Sequence, residues 1–172
     1  GVSLEKESQH VNPKITDSIQ YKVIEVLKKD NYDIIYDDDY SGEIADVVTL
    51  KLHPDKLSVG LYHLKFAIDG KVTEQVKNLY EVCGQAQKSV HWKHKDGAEF
   101  INHLLRRETK NRNGQTCSRL EVGTKKDLEK LLSIAKKEIP MEYEIFIVQP
   151  GFSKATATNE ILTLLGVTEN YL

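Results

Sequence analysis

Hydrophobic and polar positions follow two different periods in the first part of the chain. Apolar side chains recur at helical spacing over residues 15–30, with two lysines near the carboxyl end, and this pattern predicts a helix. Three segments rich in β-branched and aromatic residues then predict strands: "YDIIYD" at 32–37, "IADVVTLKL" at 44–52 and "VGLYHLKFAI" at 59–68. Because only short turns separate these strands, we expect an antiparallel meander.

The second half of the chain is predicted to be mainly helical. We predict helices at residues 73–94, 98–108, 125–139 and 158–166, strands at 116–122 and 142–150, and an exposed loop at 109–115. A strand reached through a helix can join a sheet in parallel with its neighbour. We therefore expect a single α/β domain whose mixed central sheet, an antiparallel meander plus a parallel strand, is flanked by helices on both faces.

Composition narrows the class of protein. Hydrophobic residues make up 40% of the 172 residues, and no apolar run is long enough to cross a bilayer. The cysteines, Cys83 and Cys117, are far apart and form no metal-like pair, which favours a reduced, cytoplasmic protein. The chain begins with glycine and holds one methionine, so we expect it to be a fragment of a longer protein.

Ionisable side chains interrupt two of the predicted strands. Because side chains alternate across a strand, His63 and Lys65 share one face of the third strand, and Asp46 on the second can lie on the same side. A carboxylate buried without partners is unfavourable, which leaves two interpretations. Either Asp46 and Lys65 form a cross-strand ion pair beside His63, or Asp46 and His63 are ligands of a divalent cation and Lys65 orients a water molecule.

The predicted helix at 73–94 carries a polar stripe opposite its core face. Its members recur at spacings of four, three and four residues: Glu81, Gln85, Lys88 and Trp92. The stripe is either a solvated surface, or it turns Gln85 and Lys88 toward the polar cluster of the sheet or a bound phosphate. Glu25 on the first predicted helix is either a surface residue or a further carboxylate of that cluster.

This arrangement resembles the PD-(D/E)xK, or restriction-endonuclease-like, nuclease superfamily. The resemblance rests on a helix, a meander, Asp46 on the second strand and Lys65 two residues after a polar group on the third. It implies a restriction-endonuclease-like fold in which Asp46 binds Mg²⁺ or Mn²⁺ and Lys65 is the catalytic lysine. It also implies catalytic roles for Glu25 and Gln85, and it places His63 at the variable, usually acidic second metal ligand. Because a neutral imidazole suits Mn²⁺ or Zn²⁺ better than Mg²⁺, the site is either active with an altered metal preference or degenerate.

A narrower resemblance involves longer segments of the chain. The stretches "LYHLKFA", "VKNLYEVCGQAQKSVHWKH" and the closing "EIFIVQPGFSKATATNEILTLLGVTENYL" resemble a carboxyl-terminal region of some bacterial DEAD/DEAH-type superfamily 2 helicases. This resemblance implies a nuclease-like domain appended to a helicase, with the helicase domains of the parent chain as partners. No glycine-rich phosphate loop occurs in the sequence, so we do not expect this domain to hydrolyse ATP.

Positive charge is concentrated in the middle of the chain. Residues 85–126 hold 10 Lys and Arg against 4 Asp and Glu, whereas residues 1–84 hold 10 against 15. The basic segment is either a solvated surface or a footprint for the phosphates of DNA or RNA. The candidate nucleic-acid contacts are Lys88, Trp92, Lys93, Arg106, Arg107, Lys110 and Arg112. The sequence thus predicts a metal-dependent DNA nuclease domain; the alternatives are a degenerate nucleic-acid-binding module and a protein-interaction module that uses the apolar carboxyl-terminal segment.

Overall fold

The computed structural model describes residues 1–67, 76–112, 114–149, 155 and 157–172. The strands are Ile34–Asp37 (β1), Val47–Leu52 (β2), Leu57–Leu64 (β3), Thr109–Arg112 (β4), Gln115–Ser118 (β5), Leu120–Val122 (β6) and Met141–Val148 (β7). The α-helices are Ile19–Leu27 (α1), Val76–Ser89 (α2), Gly97–Arg106 (α3), Lys125–Ala135 (α4) and Asn159–Tyr171 (α5), and a 3₁₀ helix, Val90–His94, continues α2.

The main sheet is mixed, with the strand order β6-β1-β2-β3-β7. The strands β1, β2 and β3 form the antiparallel meander, and β7 lies parallel to β3. Val47 stands opposite Tyr62 at one end of the β2–β3 ladder, and Asp46 precedes this pair by one residue. The predicted α/β architecture, with an antiparallel meander, a parallel strand and flanking helices, is confirmed.

Strand alternation divides the apolar residues between the two faces of the sheet. Val48 and Leu61 pack with Phe100 of α3 and Leu128 of α4 in the largest cluster. On the other face, apolar residues of β1, β2 and β3 pack with α1 through Ile19, Ile24 and Leu27. A third cluster joins α2 to α5 through Leu79, Val82, Cys83 and Ile161. Both faces of the sheet are therefore covered by helices.

Side-chain caps start four of the helices where the sequence offers short polar residues. Ser18, Asp96 and Thr158 accept hydrogen bonds from backbone N–H groups in the first turns of α1, α3 and α5. Thr124 and Asp127 form a reciprocal capping box at α4. None of the described helices has both the length and the apolar character required to span a bilayer.

The prediction of an exposed loop at 109–115 is wrong, because β4 and β5 form a two-stranded antiparallel hairpin there. Its turn contains Gly114, whose φ of 75° suits a residue without a Cβ. The strand predicted at 116–122 is also divided into β5 and β6, with Arg119 between them. Polar side chains dominate the hairpin, so it lacks the alternating apolar face on which the sequence prediction depended.

Two glycines with positive φ should respond differently to a methyl group. A Cβ added to Gly123 (φ 84°) would lie 2.5 Å from the carbonyl oxygen of Asp33, whereas one added to Gly114 would meet no atom within 4 Å. We expect Gly114→Ala to lower the free energy of unfolding by ~1 kcal/mol, the cost of the left-handed backbone alone. Gly123→Ala should lower it by ~3 kcal/mol or more, because the backbone must also move. Urea denaturation measures both values, and equal losses would contradict the placement of Gly123.

Candidate functional site

Three carboxylates converge where the chain passes from β1 into β2. Asp39, Glu43 and Asp46 each place one carboxylate oxygen within 4.8 Å of the others. Asp39 and Glu43 lie on the connecting loop, and Asp46 immediately precedes β2. We call these three residues the acidic trio. Oxygen donors of this kind are the ligands that Mg²⁺ and Mn²⁺ prefer.

Asp46 is the buried member of the acidic trio, with 6% of its surface exposed. Its Oδ2 accepts a hydrogen bond of 2.7 Å from the backbone N–H of Leu64, and its carbonyl oxygen accepts one of 3.1 Å from Gln20 Nε2. The pKa of Asp46 is raised to about 8, chiefly by burial, with the N–H of Leu64 acting to lower it and the nearby carboxylates of Glu43 and Glu7 adding to the rise. A proton or a cation is therefore needed at this position near neutral pH.

Asp37, the last residue of β1, is neutralised by a lysine from the hairpin. Asp37 is buried, and Lys110 Nζ of β4 lies 2.6 Å from its Oδ2. Gln9 and Gln20 donate further hydrogen bonds to the same carboxylate, at 2.8 and 3.2 Å. Lys110 is 8% exposed, so its ammonium group lies inside the fold beside Asp37 rather than at the surface. Lys110, which was predicted to contact nucleic acid, thus forms a structural ion pair with Asp37.

Arg107, another predicted nucleic-acid contact, binds the second aspartate of the loop. Its Nε donates to Asp38 Oδ1 at 2.7 Å, and its two terminal nitrogens donate to backbone carbonyls of the loop, including Ser41 at 2.7 Å. Burial raises the pKa of Asp38 to about 6, while Arg107 and the N–H of Ile44 act to lower it. The loop that begins at Asp38 is therefore anchored to the end of α3.

Lys65 is paired with glutamates that come from outside the meander. Its Nζ lies 3.3 Å from Glu81 Oε2 of α2 and 3.8 Å from Glu7 Oε2 in the amino-terminal segment. Glu7 also accepts a 2.9 Å hydrogen bond from the N–H of Phe66, and burial raises its pKa. Within the described part of the chain, these glutamates rather than Asp46 lie within ion-pair distance of Lys65, so the Asp46–Lys65 cross-strand pair, one of the two interpretations of the sequence, does not form.

His63 faces α2 and is buried. Ser89 donates its hydroxyl hydrogen to the carbonyl of Ala86 at 2.7 Å, so the 3.1 Å contact between His63 Nε2 and Ser89 Oγ has the imidazole as donor. Burial lowers the pKa of His63 to about 4, which leaves the ring neutral at pH 7. His63 is not a member of the acidic trio, although it was predicted as the second metal ligand.

A cavity of about 200 Å³ lies beside the acidic trio and connects it to α2. Its walls are formed by Glu43, Ile44, His63, Gln85, Lys88, Ser89, His91 and Trp92. Glu43 belongs to both the cavity and the trio. The Oε1 of Gln85 is buried and has no hydrogen-bond partner among the described residues. The cavity therefore brings together four of the predicted residues, His63, Gln85, Lys88 and Trp92, next to a carboxylate of the trio.

The structure places Glu25 away from these groups. Its carboxylate lies 2.8 Å from Lys28 Nζ on the surface of α1, and Lys28 also approaches Glu121 of β6 at 3.6 Å. Glu7 is instead the glutamate from the amino-terminal region that reaches Lys65. Sequence reasoning missed Glu7, Asp39 and Glu43. The signal in the sequence that could have found Asp39 and Glu43 is the acidic stretch between the first two strands, which begins at Asp37.

The remaining predicted nucleic-acid contacts have different surroundings. Trp92 is buried and packs edge-on against Phe100, with ring centroids 5.6 Å apart. Lys93 Nζ donates to the carbonyl oxygen of Leu172. Lys88 and Arg106 are exposed, and Arg112 is in β4 with its side chain outside the described part. Trp92 is thus a packing residue, whereas Lys88 and Arg106 are accessible to a phosphate.

The carboxyl-terminal helix proposed as an interaction segment is partly buried. Ile161 of α5 packs against Leu79 and Val82 of α2, whereas Leu162, Val167 and Tyr171 are exposed.

No family model matches this chain, and neither the curated proteins nor the solved structures include one with significant similarity to it.

The raised pKa of Asp46 predicts how stability depends on pH when no metal is present. The folded state keeps the Asp46 proton to about pH 8, whereas the unfolded chain loses it near the ordinary value of 3.8. The folded state therefore binds more protons between these values, and stability should decrease as the pH rises from about 4 to 8. Asp46→Asn removes this titration and keeps an oxygen that can accept the Leu64 N–H.

We expect Asp46→Asn to match the parent protein near pH 4 and to exceed its free energy of unfolding by ~2 kcal/mol or more at pH 8. Urea denaturation in buffers with a chelator, at several pH values, measures the difference. The other carboxylates of the site are common to both proteins, so their titration largely cancels in this comparison. Parallel stability curves for the two proteins would contradict the assigned environment of Asp46.

Proposed function

We propose that this chain is a metal-dependent nuclease-like domain that binds DNA and hydrolyses its phosphodiester bonds. The observation that carries the proposal is the convergence of Asp39, Glu43 and Asp46 within 4.8 Å, around a carboxyl group that is buried. Close carboxylates repel one another, and burial increases the cost of their charge, so a cation stabilises the ionised site. The resemblance to the PD-(D/E)xK superfamily supports the same chemistry.

The donor set fits a hard divalent cation. The trio offers carboxylate oxygens, and His63 forms its hydrogen bond with Ser89 outside the trio, so Mg²⁺ or Mn²⁺ suits the site better than Zn²⁺. When bound, such an ion supplies Lewis acidity and lowers the pKa of a coordinated water. Asp46 would anchor the ion from the start of β2, while Asp39 and Glu43 would hold it from the loop.

Lys65 is the residue that we assign to the scissile phosphate or the attacking water. Its ammonium group is held between Glu7 and Glu81, and the residue is buried. The side chain of Glu81 is 56% exposed, so a phosphate oxygen can replace it as a partner of the ammonium group. The lysine would then stabilise negative charge on the phosphate where hydrolysis increases it.

The cavity beside the trio would position the substrate. Lys88 can neutralise a neighbouring phosphate from the exposed face of α2, and Arg106 of α3 can add a second contact outside the cavity. The amide of Gln85 can bind the backbone or a water molecule through its unpartnered Oε1. In the context of the helicase resemblance, we further propose that this domain acts on DNA delivered by helicase domains of a parent chain.

A module that binds nucleic acid without cleaving it is the second candidate function. The observation in its favour is that the position of the family's second acidic ligand holds a buried, neutral histidine that hydrogen-bonds Ser89. Such a module would retain salt-sensitive binding through the exposed Lys88 and Arg106. It would show no dependence of binding on the acidic trio.

The nuclease proposal predicts metal-dependent cleavage that requires Asp46 and Lys65. Incubation of the protein with plasmid and single-stranded DNA in Mg²⁺ or Mn²⁺ should yield products that a chelator suppresses. Asp46→Asn and Lys65→Met should lower the cleavage rate by about 100-fold or more, since each removes a charge from the reaction centre. Glu129→Gln, at an exposed position of α4, is the matched control and should cleave like the parent.

Mn²⁺ binding, followed by calorimetry, separates the two candidate functions. Binding should strengthen as the pH approaches 8, because the proton of Asp46 must leave before the ion binds. Asp46→Asn should bind Mn²⁺ about tenfold or more weakly. The nuclease proposal is abandoned if the folded parent protein neither binds Mn²⁺ nor cuts DNA, and salt-sensitive DNA binding under those conditions would support the second candidate.

A further inference from the structure

Arg119 is a buried cation with no carboxylate within ion-pair distance in the part of the chain that the structure describes. It lies between β5 and β6 and is 6% exposed. Its Nη1 donates to the carbonyl oxygens of Asp37 and Asp39, at 3.0 and 2.8 Å, but its Nε is buried and has no hydrogen-bond partner among the described residues. The neighbouring side-chain carboxylates are already used, since Lys110 pairs with Asp37 and Arg107 with Asp38.

A guanidinium group in this position is costly to bury, and an anion would offset that cost. The structure provides the space: a cavity of about 280 Å³ is lined by Tyr40, Ser41, Thr109, Lys110, Asn111 and Arg119. Ser41 and Thr109 are exposed, so their hydroxyls are accessible to a bound anion. Asn111 uses its Oδ1 to accept from Thr116 at 2.6 Å, which leaves its NH₂ group available as a donor.

We infer that this cavity is a binding site for a phosphate group, held by Arg119 with the hydroxyls of Ser41 and Thr109. A phosphate presents oxygens in several directions and so suits a guanidinium fork together with neutral donors from different elements. The charge of Arg119 selects an anion, and the cavity has room for a phosphate group with accompanying water. We call this cavity the anion pocket.

The anion pocket is separate from the acidic trio, although both involve the same loop. The carbonyl of Asp39 accepts from Arg119, whereas its carboxylate belongs to the trio. Tyr40 and Ser41 line the pocket, and Glu43 lines the cavity near His63. The inference therefore does not require that the trio binds a metal or that the protein cleaves DNA.

Calorimetric titration with inorganic phosphate, in metal-free buffer of low ionic strength, tests the anion pocket. We expect saturable binding that Arg119→Gln weakens about tenfold or more, as for the loss of a charged hydrogen bond. Because Arg119 also holds the loop, circular dichroism must first show that this variant folds. Lys126→Gln, which removes an exposed charge from α4, is the matched control and should bind phosphate like the parent.

A second variant keeps the test valid if Arg119→Gln does not fold. Ser41→Ala combined with Thr109→Val removes two pocket donors at exposed positions, and valine suits the strand. We expect several-fold weaker phosphate binding with unchanged Mn²⁺ binding. Phosphate binding that is absent in the parent, or equal in the parent and the folded pocket variants, would overturn the inference.

Competition identifies the source of the phosphate group. The competitor is a short oligodeoxynucleotide without a terminal phosphate. If it displaces inorganic phosphate from the parent protein and binds the double variant more weakly, the pocket accepts a nucleic-acid backbone. Failure to displace bound phosphate would show that the pocket takes the free anion. Both results support an anion pocket, and phosphate binding without any nuclease activity would leave the inference intact while removing the proposed function.

Discussion

Neutralisation of a buried acidic loop is the constraint on which the rest of the structure depends. Asp37 and Asp38 at the end of β1 are almost completely buried, and each is bound by a cation from a segment about seventy residues further along the chain. Removal of one partner from such a pair leaves an uncompensated charge in the interior, which costs about 3–5 kcal/mol. The hairpin and the end of α3, which carry Lys110 and Arg107, therefore determine where the loop into β2 can lie.

This anchoring separates the charges that stabilise the fold from those that are available for chemistry. Asp37 and Asp38 are saturated by structural partners, whereas Asp46 has a backbone N–H and no cation within ion-pair distance in the described structure. Because no cation offsets the cost of burying its charge, the pKa of Asp46 is raised. Arg119 is the converse case, a positive charge without a paired anion. The neighbouring carboxylates already pair with other cations, and its guanidinium group retains a buried donor without a hydrogen-bond partner among the described residues. The proposed cation site and the proposed anion pocket thus both involve the loop between β1 and β2.

Part of the candidate site could be predicted from the sequence, because strand alternation is a local property. Period-two alternation brought Asp46 and His63 to the ends of paired strands, and the register confirms that these strands are neighbours. Glu7 could not be found in this way, since it lies outside any strand and reaches Lys65 through the path of the amino-terminal segment. The position of Glu25 on the first helix is compatible with a further carboxylate of the cluster, but its side chain on α1 pairs with Lys28 instead.

The sequence by itself determined the helices, the meander and the mixed sheet, because these follow from hydrophobic periodicity, short turns and capping residues that act over a few positions. Only the tertiary structure decided which charged side chains form ion pairs inside the protein. The excess of Lys and Arg in residues 85–126 looked like a single basic surface, yet Lys110 and Arg107 point into the protein while Lys88 remains exposed. Charge pairing is decided by proximity in three dimensions and by the cost of desolvation, and neither quantity is encoded in the local pattern of the chain.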